Sequence, residues 1–489
     1  MALTLQSVAI VFGLLLPYGT VQALPSHHSC CKAFRRQFPA SQIDLVFPDA
    51  YSSVQESDIV ASCRINPTSA EEVAQVLNIT TESGCNFAVR SGGHMPWAGS
   101  ANIEEPGVAI DLGFLNKTTL SNDKSIAHVG PGARWGLVYD ALAPEGRVVI
   151  GGRGEHIGVG GYLLGGKSCG ISFFSEGLGF ASDNVVGYEI VFANGTIAEA
   201  NSQENTDLFW ALRLGSTNFG IVTRFDLKTT TTTNLWGGLR NYNRSHALQA
   251  AKALIETNQR SQEQGAGLDT LGLFIGNGDE FLMNYAHLKP ENDTDVFEPA
   301  LDIPFTSDTV RSNVTLKTIL QELDALFPIG RHVSFRTLAF VPDAQFMIDW
   351  WQEGFKIFAQ YEGNSNLSWT FTYAIIPVSM MRAAEAANDP YGLDASNGPL
   401  ILTNLNAFWS DSLDEDDVQC KLAELLEWGK TTAQERGLLN DWVYLNYASP
   451  DQDPYAGIPE ANARRLRHIR QSVDPNDILR NLWPGGFKL

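Results

Sequence analysis

From about Asp58 onward the apolar and polar positions switch between two periods. The stretch "DIVASCRI" has β-type composition and is broken by Asn66-Pro67. Ser69 with Glu72 then forms a capping box, and Val73, Val76 and Leu77 supply one apolar helical face. Short strands are predicted at "CNFAVR", "GVAIDL", "KSIAHVG" and "RVVIGG", and a longer one at "DNVVGYEIVF", ending in the turn Ala193-Asn194-Gly195. "DLFWALRLG" reads as a short helix and "FGIVTRFDLKT" as a further strand.

The threonine run Thr229 to Thr233 marks a change of character. From there to roughly Trp428 the alternating segments lengthen and amphipathic helices intervene, which predicts a second unit built on an antiparallel sheet covered by helices. Within it Trp369, Phe371 and Tyr373 alternate, so they share one face of a strand, lining a substrate pocket or packing a core. Trp350 and Trp351 belong to the same aromatic-rich stretch. The remainder returns to short elements: a strand at "DWVYLNYA", then a helix from about Glu460 to Gln471 stopped by Asp474-Pro475. On that strand Tyr444 and Asn446 face one side, Leu445 and Tyr447 the other. The fold class is α+β, with boundaries near residues 58, 231 and 431 and a separate N-terminal segment, 24–57.

Length and charge sharpen this picture. A chain of 489 residues exceeds what one core usually serves, and 44% hydrophobic residues mark it as globular. A net charge of −21 repels phosphate backbones and anionic lipid, so neither nucleic acid nor a membrane surface is an expected partner. Val8 to Leu16, "VAIVFGLLL", is too short to span a bilayer; Val21-Gln22-Ala23 follows with the small residues signal peptidase needs. Residues 1–23 therefore read as a secretory signal, with a mature start at Leu24 and no membrane association after cleavage. The n-region carries no Lys or Arg, whereas Pro17 and Gly19 argue against a buried N-terminal helix.

Sequons at Asn78, Asn116, Asn194, Asn243, Asn292, Asn313 and Asn366 agree with passage through the secretory pathway and with N-glycosylation. A secreted or vacuolar location follows. Cys30, Cys31, Cys63 and Cys85 cluster near the start and suit two bridges in an oxidising compartment, with the pairing open. Cys169 and Cys420 are isolated, and Cys420 reads as an inert buried thiol.

The densest chemistry lies between Arg90 and Gly179. Arg90-Ser91-Gly92-Gly93-His94 follows a strand, and small residues in series let backbone N–H groups converge on an anion. A second glycine-rich turn, Ile157-Gly158-Val159-Gly160-Gly161, lies further along, and two such turns suit a diphosphate. No glycine set completes G-x-G-x-x-G, because Leu163 stands at the third place, so a Rossmann site is excluded.

"VRSGGHMPWAGS", "HVGPGARW", "GVGGYLLGG", "GISFFSEGLGFASDNVVGYEIVFANG", "DLFWALRLGSTNFGIVTRFDL", "YLNYA" and "WPGGFKL" occur in an order that resembles the flavin-linked oxidases of the berberine bridge enzyme and vanillyl-alcohol oxidase type. The resemblance covers almost the whole mature chain and is nearest to secreted or vacuolar fungal members acting on secondary metabolites or sugars. It implies a PCMH-type FAD-binding domain in two parts, 58–230 completed by 431–489, with a substrate domain at 231–430. It implies FAD bound covalently through His94, with Ser91, Gly92, Gly93, Gly160 and Gly161 about the pyrophosphate. Arg90, Ile157, Gly158 and Asn446 complete the implied cofactor set. Many relatives carry a second, cysteine tether, where this chain has Gly154; one covalent bond is therefore expected.

The resemblance also implies Tyr447 as the base of an oxidase, with a small organic substrate and O2 as partners and H2O2 as product. The alternatives are an oligosaccharide oxidase of the same fold and a flavin-retaining scaffold that guides cyclisation without net redox. A tyrosine base needs a nearby cation or strong donor, and Arg153 and His332 are the candidates. Finally, Gly161 to Ser168, "GYLLGGKS", fits the P-loop pattern letter for letter. Relatives read "LLGGGISFFS", so an inserted Lys167-Ser168-Cys169 creates the match. Gly170-Ile171-Ser172 is a poor helix start, and no following strand ends in the aspartate that Mg²⁺ needs. A nucleotide-triphosphate site is not expected.

Overall fold

A computed structural model describes residues 29–47, 50–165, 170–231, 234–265, 267–388, 390–410 and 413–489. The proposed leader and the Lys167-Ser168-Cys169 insertion lie outside the described residues.

Three sheets organise the chain. The first is parallel, with β1 (Cys63–Ile65), β2 (Phe87–Arg90) and β3 (Val108–Asp111) in the order β1-β3-β2. The helix Ala70–Glu82 covers it through Val73, Val76 and Leu77, all fully buried. Its capping box is half formed. Ser69 accepts from the Glu72 backbone N–H, while the Glu72 carboxylate turns to Thr68 and Gln42. Disulfides Cys30–Cys85 and Cys31–Cys63 resolve the open pairing and staple the helix Ser29–Gln37 onto this sheet.

The second sheet is antiparallel. It contains β4 (Thr118–Leu120), β5 (Ile126–Val129), β6 (Arg147–Val149), β7 (Val185–Val191), β8 (Ile197–Asn201) and β9 (Ile221–Thr231), ordered β4-β5-β9-β7-β8 with β6 also on β9.

The third sheet has nine strands: β10 (Leu235–Asn243), β11 (Asp269–Gly276), β12 (Glu280–His287), β13 (Ser307–Asp308), β14 (Arg311–Val314), β15 (His332–Phe340), β16 (Leu367–Ile376), β17 (Leu400–Trp409) and β18 (Leu439–Asn440). Its central order is β12-β11-β16-β17-β15, all antiparallel. Helices Ala247–Gln264, Ala344–Ile357 and Glu415–Glu435 pack on one face.

That packing decides the aromatic stripe. Trp369, Phe371 and Tyr373 face the helices and are buried. Trp369 stacks on Phe358 with ring centroids 5.7 Å apart, Phe371 meets Trp350 at 4.8 Å, and the Tyr373 hydroxyl donates to the Met347 carbonyl. The stripe is core, each ring contributing roughly 2 kcal/mol by leaving water. The opposite face of the same strands is left to line a cavity.

Two expectations are corrected. Cys420 is exposed on the helix Glu415–Glu435, because that helix buries Val418, Leu422 and Leu425 instead. "DWVYLNYA" is not a strand: its end coils into a 3₁₀ turn, Leu445–Tyr447, closed by Tyr447 N–H donating to the Tyr444 carbonyl at 2.9 Å. Among the described residues no helix is long and apolar enough to cross a membrane. Six sequon asparagines are exposed and Asn292 is half-buried.

Candidate active site

One cavity of about 290 Å³ lies between the glycine-rich loops and the nine-stranded sheet. Its first wall begins where β2 ends. Gly93 has φ +63°, and a Cβ there would sit 2.1 Å from the Ala50 carbonyl oxygen, so only glycine fits this turn. Ser52 holds the loop from behind, its N–H donating to the Gly93 carbonyl and its hydroxyl to that of His94, both at 3.0 Å. The second wall, Ile157 to Gly161, is fixed by Trp135 N–H donating to Ile157 and Val159 N–H to Ala133, each at 3.0 Å.

The two loops touch backbone to backbone. A Cβ on Gly92 would lie 2.3 Å from the Gly158 Cα. The Ser91 hydroxyl donates to the Pro131 carbonyl at 2.5 Å and accepts from Gly160 N–H at 3.1 Å, so it ties the loops together. Ser91, Gly92, Gly93, His94, Ile157, Gly158, Gly160, Gly161, Asn446 and Tyr447 all line the cavity.

Arg90 does not, which corrects its expected place. Its guanidinium is buried and bidentate on Asp111 at 2.5 and 2.6 Å, with further donation to the Ala50 and Ser91 carbonyls. It braces the loop from behind. Nor does His332 reach the site: it stacks on Trp409 at 5.5 Å and pairs with Glu415 at 3.3 Å.

His94 faces the cavity, its ring 6.2 Å from that of Phe335. Burial, helped by the charges of Arg134 and His156, lowers its pKa from 6.5 to about 4, so the imidazole is neutral at ordinary pH. Phe335 in turn lies 6.4 Å from the Tyr447 ring. Arg153 donates to the Tyr447 hydroxyl at 3.4 Å, and Tyr444 packs edge-on to Tyr447 at 4.7 Å. The 3₁₀ turn explains why Tyr444, Leu445, Asn446 and Tyr447 all reach the cavity: a tight turn brings to one side what a strand would send to opposite faces. Asn446 donates to the Tyr162 carbonyl at 3.2 Å.

Sequence reasoning missed the sheet side of the cavity: Phe274, Asn284, Phe335, Thr372 and Asn404. The signal available was the pair of amides, Asn404 and Asn406, beside Thr403 in the mostly apolar run "LILTNLNAFW". It also missed Asp324, whose carboxylate accepts from Glu155 N–H at 2.6 Å and is held above the usual carboxylate range by burial.

Residues 61–201 match the FAD binding domain family. Over 517 aligned positions the chain is 34% identical to an FAD-dependent monooxygenase of Penicillium roqueforti, covering 99% of this chain and 98% of that one. The chain belongs to the family of FAD-linked oxidoreductases that includes this relative. The fold of this flavoenzyme is similar to that of a xylooligosaccharide oxidase from Myceliophthora thermophila, with TM-score 0.73 and 20% identity over 94% of this chain and 99% of the other. It is likewise similar to a variant of berberine bridge enzyme, with TM-score 0.72 and 18% identity over 94% of this chain and all of that one.

FAD is the cofactor of this oxidoreductase, and the cavity fits it. The N–H groups of Gly92, Gly93 and His94 meet no acceptor among the described residues, so they are able to donate to an anionic group. The P-loop pattern is not a second phosphate site: its opening Gly161 already lies inside the helix Val159–Leu164.

Proposed function

We propose that this flavoenzyme is a secreted oxidase that takes hydride from a small organic substrate and returns the electrons to O2 as H2O2. The observation that carries it is the Arg153–Tyr447 pair on the same cavity as the glycine loops. Bound FAD supplies the hydride acceptor. Tyr447 takes the proton that accompanies hydride loss, and the Arg153 guanidinium, donating to its oxygen, meets the charge that builds there. His94 holds the cofactor through one covalent bond from its neutral ring, and Ser91, Gly92, Gly93, Gly158, Gly160 and Gly161 contact the diphosphate. Asn446 contacts the cofactor beside the base. Ile157, at the head of the second loop, controls the approach of oxygen.

In this reading residues 58–230 with 431–489 hold the flavin and 231–430 cover the substrate. Two disulfides and surface sequons support passage through an oxidising compartment.

A second reading takes its support from the Penicillium relative, which is named a monooxygenase. In that case one oxygen atom of O2 enters the product and the other leaves as water, the two electrons that reduce it coming from the substrate itself through the flavin. An anaerobic screen of small alcohols, phenols and oligosaccharides, followed at the flavin absorbance, tests redox function. Peroxide yield and incorporation of ¹⁸O from ¹⁸O2 then separate oxidase from monooxygenase. A substrate that binds and is converted without bleaching the flavin would overturn both.

A further inference from the structure

The cavity side of the nine-stranded sheet carries one row of residues in register. Phe274 on β11 is opposite Thr372 on β16, and Thr372 is opposite Asn404 on β17. All three line the cavity. Phe335 on β15 and Phe327 add aromatic surface, with Phe327 and Phe274 at 6.4 Å between centroids.

Asn404 is 4% exposed, and its Oδ1 is buried with no hydrogen-bond partner among the described residues. Its amide neighbours on the sheet are partly occupied, each donating through its side chain. Asn284 donates through Nδ2 to the Gly238 carbonyl at 3.3 Å. Asn406 donates to the Thr372 hydroxyl and the Asn404 carbonyl, both at 3.4 Å; its own Oδ1 is also unpaired, but Asn406 does not line the cavity. A buried amide without a partner is unfavourable, and Asn404 is one of the residues that line the cavity. The charged or readily ionised side chains lining the cavity, His94, Arg153 and Asp324, belong to the other segments and not to this row.

We infer that Asn404 is a specificity-determining residue that hydrogen-bonds the oxygen substituent of a neutral, oxygenated aromatic substrate lying along Phe274, Thr372 and Phe335. The amide is uncharged and offers both an acceptor and a donor, so it matches a neutral ring hydroxyl or carbonyl. The few polar atoms on this floor do not match the many hydroxyls of a sugar. This deepens the oxidase reading and rests on it for the substrate's fate, not for its binding.

The test uses the flavin-loaded enzyme, titrated anaerobically with 2-naphthol, its shape analogue 2-methylnaphthalene, and xylobiose, with binding read from perturbation of the oxidised flavin spectrum. The wild type is expected to bind 2-naphthol at least about tenfold tighter than 2-methylnaphthalene, because a site built to pair a hydroxyl rejects the analogue lacking it. Asn404→Leu and Asn404→Thr should erase that preference while binding 2-methylnaphthalene within about twofold of wild type. Equal binding of the two naphthyl probes, no binding of either, tighter binding of xylobiose, or a preference that survives both variants overturns the inference. So does loss of flavin from both variants, which would make Asn404 a structural residue. Flavin bleaching by any substrate is scored separately: naphthol preference without reduction by any compound overturns the redox reading alone.

Discussion

Arg153 donates to the Tyr447 hydroxyl at 3.4 Å although 294 positions separate them in the chain. Arg153 follows the strand β6 and Tyr447 closes a 3₁₀ turn near the C-terminus, so the contact exists only once both segments reach the cavity. In the proposed mechanism it is the catalytic pair.

Tyr447→Phe removes the proton acceptor and nothing else in the cradle. Turnover should fall by roughly 10²–10⁴-fold with flavin content unchanged. Steady-state rates beside flavin absorbance check this; activity within a few-fold of wild type would put the base elsewhere.

His94→Ala should release the flavin on acid denaturation, whereas wild type keeps it on the peptide containing His94. The depressed His94 pKa of about 4 means the unattached ring is neutral and nucleophilic down to that pH. Peptide mass mapping decides, and flavin on a cysteine peptide would sink the assignment.

Gly154→Cys should not create a second tether. A Cβ at Gly154 would lie 2.5 Å from Asp324 Oδ1 and 3.1 Å from Ile157 Cδ1, and Asp324 is anchored on Glu155 N–H. Overpacking of this kind costs about 1–3 kcal/mol, so the variant should melt earlier, and adding Asp324→Ala should recover part of the loss. Thermal melts and flavin-peptide masses of both variants measure the two effects.

Ile157→Leu should slow reoxidation of the reduced flavin and leave its reduction nearly unchanged. Isoleucine keeps its bulk near the backbone and is stiff at χ1; leucine carries its branch one carbon further into the cavity that Ile157 lines. Stopped-flow mixing of reduced enzyme with oxygenated buffer isolates this step.

Glu176→Gln should flatten the pH dependence of stability. Burial, offset by donors from Ser261 and Gln262 and reinforced by the Asp269 charge, raises the Glu176 pKa above 4.5. A carboxyl with a raised folded pKa contributes stability that is complete below the unfolded value and is lost as pH rises through the folded one. Urea melts from acid to neutral pH should therefore show a smaller decline for the variant; an equal or steeper decline would contradict the assignment.

What the sequence determined by itself was local. Glycines at Gly92, Gly93 and Gly158 announced a close backbone approach because a side chain there has nowhere to go, and that holds whatever the neighbours are. The helix Ala70–Glu82 and most strands of the first two sheets were legible, though not β4 or β8, because a clear period of apolar residues has only one way to bury itself. The tertiary structure decided the rest. Trp369, Phe371 and Tyr373 were bound to share a face, but both faces of β16 are covered, one by helices and one by the cavity wall, and alternation alone does not say which is which. Tyr444 to Tyr447 read as a strand because local propensity does not register a 3₁₀ turn imposed by packing. Arg90 was expected in the cofactor set, but Asp111, from the neighbouring strand, takes its guanidinium. Which polar group meets which, and which is left facing the cavity as Asn404 is, depends on strand order and register, and those are set by contacts between distant segments.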